Sequence, residues 1–236
     1  MASSVGGRWS WSVVEWLRRA CHTWWMVGGD LELRVAWQRH IGQSDAAADV
    51  FARVVARHRG EGRHYHDVGH VRWVVRHVCE LGASVDVDDL DAVVAAAFFH
   101  DAVYEFDRTD NEVRSAQLAA DTLRDLGWSR ERCEHVRTMI VATEHRADAT
   151  VADIDTAVLI AADLAVLAAE PGAYTDSVRR IRREYAHLDE AQWRAGRSEV
   201  VEGFLGRSSI YPPELALDSW ERRARANLTA ELAALR

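Results

Sequence analysis

Two apolar runs in this chain end on, or are broken by, groups that are costly to bury without a chemical purpose. Ala92 to Phe99 closes on the doublet His100-Asp101, and Asp163 interrupts the run from Ala157 to Leu167. An ionised carboxylate beside a dry core is destabilising by several kcal/mol unless it is paired or holds a cation. Two acids and an imidazole on separate segments form a donor set for a metal ion. The segment His64-Tyr65-His66-Asp67-Val68-Gly69-His70 offers further imidazoles. His66 and His70 are four residues apart and share a helix face. His70 leads into Val71, Val74, Val75 and Val78, the apolar side of a helix, which puts it nearest a core-edge cation. His66 falls one turn nearer the mouth. Blander alternatives stand beside these readings: an ordinary helix end for His100-Asp101, a buried arginine partner for Asp163, and a core-edge histidine for His70.

The elements that position these residues read as helix after helix. Of 236 residues, 48% are hydrophobic, 14 are glycine and three are proline, so the chain can bury one sizeable core in a mostly helical protein. The pattern predicts helices over Leu31–Ile41 and Ala46–His58, the second capped at Ser44-Asp45. A turn over Gly60–Asp67 enters a helix running to Leu81. Asp88-Asp89 caps the apolar helix that ends at Phe99. After the polar loop Tyr104–Arg108, a capping-box pattern at Thr109–Glu112 opens a helix that stops at Gly127. Ser129 caps another that ends near His145, and Asp153 starts the Asp163 helix, which Pro171-Gly172 is expected to terminate. Three more follow at about 173–186, 189–205 and 213–235, with Gly206 and Pro212-Pro213 separating the last two. No alternating strand pattern, internal repeat or Gly/Ser/Pro-rich linker interrupts this series. The expected architecture is all-α, one domain over residues 30–236.

Net charge is −8, which argues against a nucleic-acid backbone or an anionic membrane as partner. A small phosphorylated ligand stays open, because a local arginine cluster and a metal can overcome the global field. Cys21, Cys79 and Cys133 are odd in number and form no CxxC, which suits reduced thiols and a cytoplasmic location. No apolar run reaches membrane-spanning length. Residues 1–29 hold five of the ten tryptophans and lack the uninterrupted apolar region of a secretory signal. Trp9, Val13, Trp16, Leu17 and Ala20 fall at helical spacing, so this extension reads as an extra amphipathic helix or as an over-called start, with Met26 the true initiator.

The order His70, then His100-Asp101, then Asp163 on successive helices resembles the HD superfamily of metal-dependent phosphohydrolases. Phe99-His100-Asp101-Ala102-Val103-Tyr104, Tyr65-His66-Asp67 with Gly69-His70, and Asp110-Asn111-Glu112 with Arg114-Ser115-Ala116 are similar to one uncharacterised branch. So are Ala142-Thr143-Glu144-His145, Ile181-Arg182-Arg183-Glu184-Tyr185, Gly196-Arg197, Phe204-Leu205-Gly206-Arg207 and Ile210-Tyr211. The likeness runs from about Leu31 to the C-terminus. It implies an HD-type helical bundle in which His70, His100, Asp101 and Asp163 hold a divalent ion, with His100 and Asp101 catalytic. Two imidazoles and two carboxylates suit Mn²⁺, Co²⁺, Ni²⁺, Mg²⁺ or Fe²⁺, and no nearby thiolate points to structural zinc. The activity implied is hydrolysis of a nucleotide or other small phosphate ester by a metal-activated water.

Further candidates surround this set. His66 and His145 are candidates for a second metal, for phosphate or for proton relay. Asn111, Glu112 and Ser115 can share a pocket-facing side of one helix, or serve as a cap and a solvated face. Arg182, Arg197, Arg207 and Tyr211 are candidate phosphate or base contacts, against the alternative of surface pairs. Two rivals to the hydrolase remain: a di-iron oxygenase using His66, His70, His100, Asp101, His145 and Asp163, and a non-catalytic nucleotide sensor.

Overall fold

Ser44, Asp67, Asp89, Ser129, Asp153 and Asp189 each accept a backbone N–H at a helix start, and these caps divide the chain into its elements. A computed structural model describes residues 29–146 and 151–236. The Trp-rich extension, apart from Gly29, lies outside the described residues. The fold is all-α, with ten α-helices, two 3-10 turns and no strand among the described residues. In chain order the helices are α1 (Gly29–His40), α2 (Asp45–Arg57), α3 (Val68–Gly82), α4 (Leu90–Phe99) and α5 (Asn111–Asp125). They continue with α6 (Arg130–Ala142), α7 (Ile154–Asp163), α8 (Pro171–Glu184), α9 (Glu190–Leu205) and α10 (Asp218–Leu235). None is long and apolar enough to cross a membrane alone.

Helix α4 is the axis of the core. All eight residues from Ala92 to Phe99 are fully buried, and α1, α3, α5, α6 and α7 pack around them. Such a helix has no solvent face, which explains why its sequence shows no polar side. At its N-terminal end the Asp155 carboxylate, itself fully buried, accepts the Asp88 and Asp89 N–H groups at 2.8 and 2.9 Å. At its C-terminal end Trp37 packs edge-on to Phe98 and tilts against Phe51 and Phe99, with ring centroids 5.1 to 6.0 Å apart.

Two expectations are corrected. The Asp163 helix does not run to Pro171: α7 ends at Asp163 and tightens into a 3-10 turn over Leu164–Ala168. Pro171 instead opens α8 at its first turn, where a missing N–H costs nothing. Carbonyls near the break find side-chain donors, Tyr211 Oη for Leu164 and Asn227 Nδ2 for Leu167 and Ala169. Asp110 precedes α5 but makes no capping bond, because Arg108 holds its carboxylate at 2.6 Å.

Helices α3, α4 and α7 pack on one another. His70 lies in the first turn of α3, whereas His100-Asp101 and Asp163 lie at the ends of α4 and α7. An α3 antiparallel to both partners therefore brings the three segments to one end of the bundle. The C-terminal dipoles of α4 and α7 favour a cation at that end, while the N-terminal dipole of α3, capped by Asp67, opposes it.

Candidate metal centre

His70 is delivered by a fixed helix start. The Asp67 carboxylate accepts the N–H groups of Gly69 and His70 at 2.7 and 3.2 Å, and Arg180 holds its other oxygen at 2.7 Å. Gly69 is required by this close approach: a Cβ there would stand 2.9 Å from the Asp67 oxygen. His100 caps α4, and its Nδ1–H donates to the Ala97 carbonyl at 2.9 Å. That bond fixes the ring so that Nε2 faces His70. The two Nε2 atoms are 3.1 Å apart and both rings are buried.

Two neutral imidazoles cannot hold their lone pairs face to face at this distance without a cation or a proton between them. The carboxylates complete the set. Asp163 Oδ1 lies 3.1 and 3.5 Å from the His70 and His100 nitrogens. Asp101 Oδ2 lies 3.5 and 3.0 Å from the same two atoms. His70, His100 and Asp163 form the group whose ligating atoms all fall within 4.8 Å of one another, and Asp101, outside that group, places Oδ2 beside both imidazoles. Donors held about 2.1 Å from a shared ion sit roughly 3.0 to 3.5 Å apart, so these separations fit a small divalent cation. Among the described residues the ion-pair partners found for Asp163 are His70, His100 and His145. Its second oxygen, Oδ2, takes an N–H from His145 Nε2 at 2.8 Å.

The electrostatics favour positive charge at the centre. Burial pushes His100 towards its neutral form, but Asp101 and Asp163 outweigh it and hold the imidazole well above its usual pKa. Burial likewise opposes ionisation of Asp101 and Asp163. His100 and His66 for the first, and His100, His145 and His70 for the second, hold both below the carboxylate range. Burial and these two carboxylates also keep the Tyr65 phenol, whose ring lies 4.9 Å from that of His70, firmly protonated.

Two residues absent from the sequence-level site set organise the surroundings. Glu184, with a side chain 1% exposed, accepts the N–H groups of His64, Tyr65 and His66 on Oε1 at 2.6 to 2.9 Å. Its Oε2 takes the His66 Nδ1–H at 2.7 Å and the Tyr104 hydroxyl at 3.2 Å. His66 is thereby oriented with Nε2 left free, stacked on Tyr104 at 4.2 Å. Burial opposes its charge, but Asp101 and Glu184 raise its pKa. Arg63 donates to the His66 carbonyl at 2.8 Å and the Asp101 carbonyl at 2.7 Å, which clips the α3 entry to the α4 exit.

The remaining candidates separate into those near the centre and those that hold the backbone. His145, at a positive φ of 53°, orients Asp163, and its carbonyl is held by Arg207. Burial and the carboxylates of Asp101 and Glu144 raise the pKa of half-buried Glu112. Asn111 and Ser115 are committed to backbone. Asn111 bonds the N–H and the carbonyl of Glu105, and Ser115 bonds those of Val103, so both staple the loop after Asp101. Arg182 caps the Tyr185 and Leu188 carbonyls, and Arg197 pairs with Glu231. The Tyr211 hydroxyl is engaged by Leu164. These three are therefore corrected from ligand contacts to structural clips, each because its donors already have partners.

In comparison with known proteins, no family model, no curated protein and no solved structure matches the chain.

Proposed function

We propose that the protein hydrolyses a small phosphate ester with one divalent ion of the Mn²⁺, Co²⁺, Ni²⁺, Mg²⁺ or Fe²⁺ kind, held by His70, His100, Asp101 and Asp163. The observation that supports this reading is the convergence of His70, His100 and Asp163, from three helix ends, at the separations of a shared cation, with Asp101 Oδ2 beside both imidazoles. Such an ion, when bound, lowers the pKa of a water and offsets charge on the phosphoryl group. Asp101 turns Oδ2 to both imidazoles, which leaves Oδ1 to take the proton of an attacking water. His145 holds Asp163 in its ligating orientation. His66, backed by Glu184 at Nδ1, keeps Nε2 to donate a proton to the leaving oxygen of the ester. The net charge of −8 favours a small phosphorylated substrate over a nucleic-acid strand or a membrane surface.

The test combines elemental analysis with a screen of nucleotides and sugar phosphates. The expected result is about one divalent ion per chain with phosphate release, both abolished in His100→Ala and Asp101→Ala. Full metal content in those folded variants would overturn the ligand assignment. Two irons per chain with oxygen consumption would favour a di-iron oxygenase instead. Tight nucleotide retention with metal bound and no product would favour a sensor. One ion is the better supported count, because His70, His100 and Asp163 form the one group of this kind with mutually close ligating atoms among the described residues.

A further inference from the structure

His145 adopts a backbone conformation that side chains disfavour. Its φ of 53° lies in the left-handed region, where Cβ crowds the following carbonyl. A non-glycine residue stays there only where its surroundings hold it. The ring supplies little of that hold. Nε2 meets Asp163 Oδ2 at 2.8 Å, whereas Nδ1 is buried with no hydrogen-bond partner among the described residues. The backbone must supply the rest. Its N–H donates to the Ala142 carbonyl at 3.3 Å, and its carbonyl accepts from Arg207 Nη2, 62 residues further along the chain.

Arg207 is committed to that carbonyl at the expense of its own satisfaction. The half-buried guanidinium has no carboxylate partner among the described residues, and its Nε is buried with no acceptor. Burial lowers its pKa, and no neighbouring charge among the described residues offsets this. Its placement is nonetheless fixed from both sides. The guanidinium lies 4.4 Å over Phe204, whose ring is 6.4 Å from that of His145. The Arg207 carbonyl accepts from Arg225 Nη2 at 2.8 Å, and Arg225 Nε pairs with Glu221 at 2.7 Å. A continuous line of contacts therefore runs from α10 through Arg207 and the His145 backbone to Asp163. An incompletely matched buried donor is unfavourable by itself; what this arrangement secures is the place of His145.

We propose that Arg207 is a positioning residue for the metal centre: it fixes the left-handed backbone at His145 and so aims the imidazole that holds Asp163 in its ligating orientation. Arg207 then acts through His145 and is not a phosphate contact. The effect on the ion rests on the metal-centre reading; the effect on the His145–Asp163 hydrogen bond rests on the contacts alone.

The test is calorimetric titration of the full chain with Mn²⁺, as wild type, Arg207→Met, His145→Ala and the double variant. Methionine keeps an apolar stem over Phe204 and removes the donors. Arg207→Met should weaken Mn²⁺ binding about tenfold, and Arg207→Lys, which keeps one donor, should recover part of that loss. In the His145→Ala background Arg207→Met should weaken binding less than about twofold, because the residue it acts through is gone. Wild-type affinity in folded Arg207→Met, or an equal loss in both backgrounds, would overturn the proposal. Proton–nitrogen NMR of the metal-free chain gives a readout independent of the ion. The His145 Nε2–H, held on Asp163, should give a slowly exchanging ring signal in the wild type that Arg207→Met loses and Arg207→Lys keeps. Its persistence in Arg207→Met, or its absence from the wild type, would equally overturn the proposal. A wild type that shows this Arg207-dependent signal but binds no Mn²⁺ would keep the positioning role and refute the metal centre.

Discussion

Replacing Glu184 tests how the site is held in place, and its effect can be sized in two ways. The carboxylate takes three backbone N–H groups, an imidazole N–H and a phenol hydroxyl with almost no exposure to water. Glu184→Ala leaves the buried donors of this turn unmatched, at a cost of about 3–5 kcal/mol. Burial opposes ionisation, but His66 and the Tyr65 and His66 N–H groups lower the Glu184 pKa from 4.5 to about 2. That gap corresponds to about 3 kcal/mol, in agreement with the first figure. Because the folded value is depressed, the contribution is complete above about pH 4.5 and is lost as pH falls towards 2. The raised pKa of His66 reports the same pair from the other side, lost as pH rises through the folded imidazole value, so it is counted once. Thermal unfolding followed by circular dichroism should show Glu184→Ala melting about 6–20 °C lower at pH 7. Glu184→Gln, which keeps an acceptor for the backbone but turns an amide N–H towards His66, should lose about 1–3 kcal/mol. The difference between wild type and Glu184→Gln should shrink between pH 4.5 and 2. A difference that stays constant over that range, or a Glu184→Ala protein as stable as wild type, refutes the assignment.

Three shorter predictions follow from the same geometry. His145→Ala removes the N–H that orients Asp163 and should weaken Mn²⁺ binding about 10–100-fold without unfolding the chain, as read by calorimetry. Adding Mn²⁺ at a hundredfold excess over its Kd should stabilise the wild type by about 2.7 kcal/mol, and His100→Ala should show no such gain. Leu159→Ala, at a fully buried position of α7, should cost about 2–5 kcal/mol in urea unfolding, whether or not the centre is loaded.

The helices and the converging group His70, His100 and Asp163 were legible because each carries a local signal. Ser44, Asp67, Asp89, Ser129 and Asp153 stand as polar caps before apolar runs, and the structure uses each as a cap. His100-Asp101 and Asp163 are polar groups set against unbroken apolar runs, a pattern that stands out in the sequence without any partner being known. Glu184 and Arg63 gave no such signal. Glu184 ends a polar, arginine-rich helix, and its partners at His64 to His66 lie 118 to 120 residues away. Arg63 sits in a polar turn, where an arginine is unremarkable. Asp155 was hidden for a related reason: a second acid just after the cap Asp153 reads as first-turn charge, yet it is fully buried on the Asp88-Asp89 backbone. The end of α7 was misplaced because Ala162-Asp163-Leu164-Ala165 contains no helix breaker. Its termination depends on Tyr211 and Asn227, which are remote in sequence.

The clips explain why the site can be rigid although each central residue lies at a helix end, where backbone hydrogen bonding runs out. Unpaired terminal groups normally leave such ends free to fray. Here the α3 entry is tied to α8 through Glu184 and Arg180, and to the α4 exit through Arg63. The loop beyond Asp101 is tied to α5 through Asn111 and Ser115. The α7 end is tied by Tyr211. Each tie satisfies a backbone group of one segment with a side chain from another, so the stability of the ends and the placement of the donors are the same interactions. His70 and His100 are consequently held with their Nε2 atoms facing at 3.1 Å, an arrangement that needs a proton or a cation between the two nitrogens. The strength of the clips lets the fold maintain that arrangement, so a divalent ion entering it would meet donors already in position.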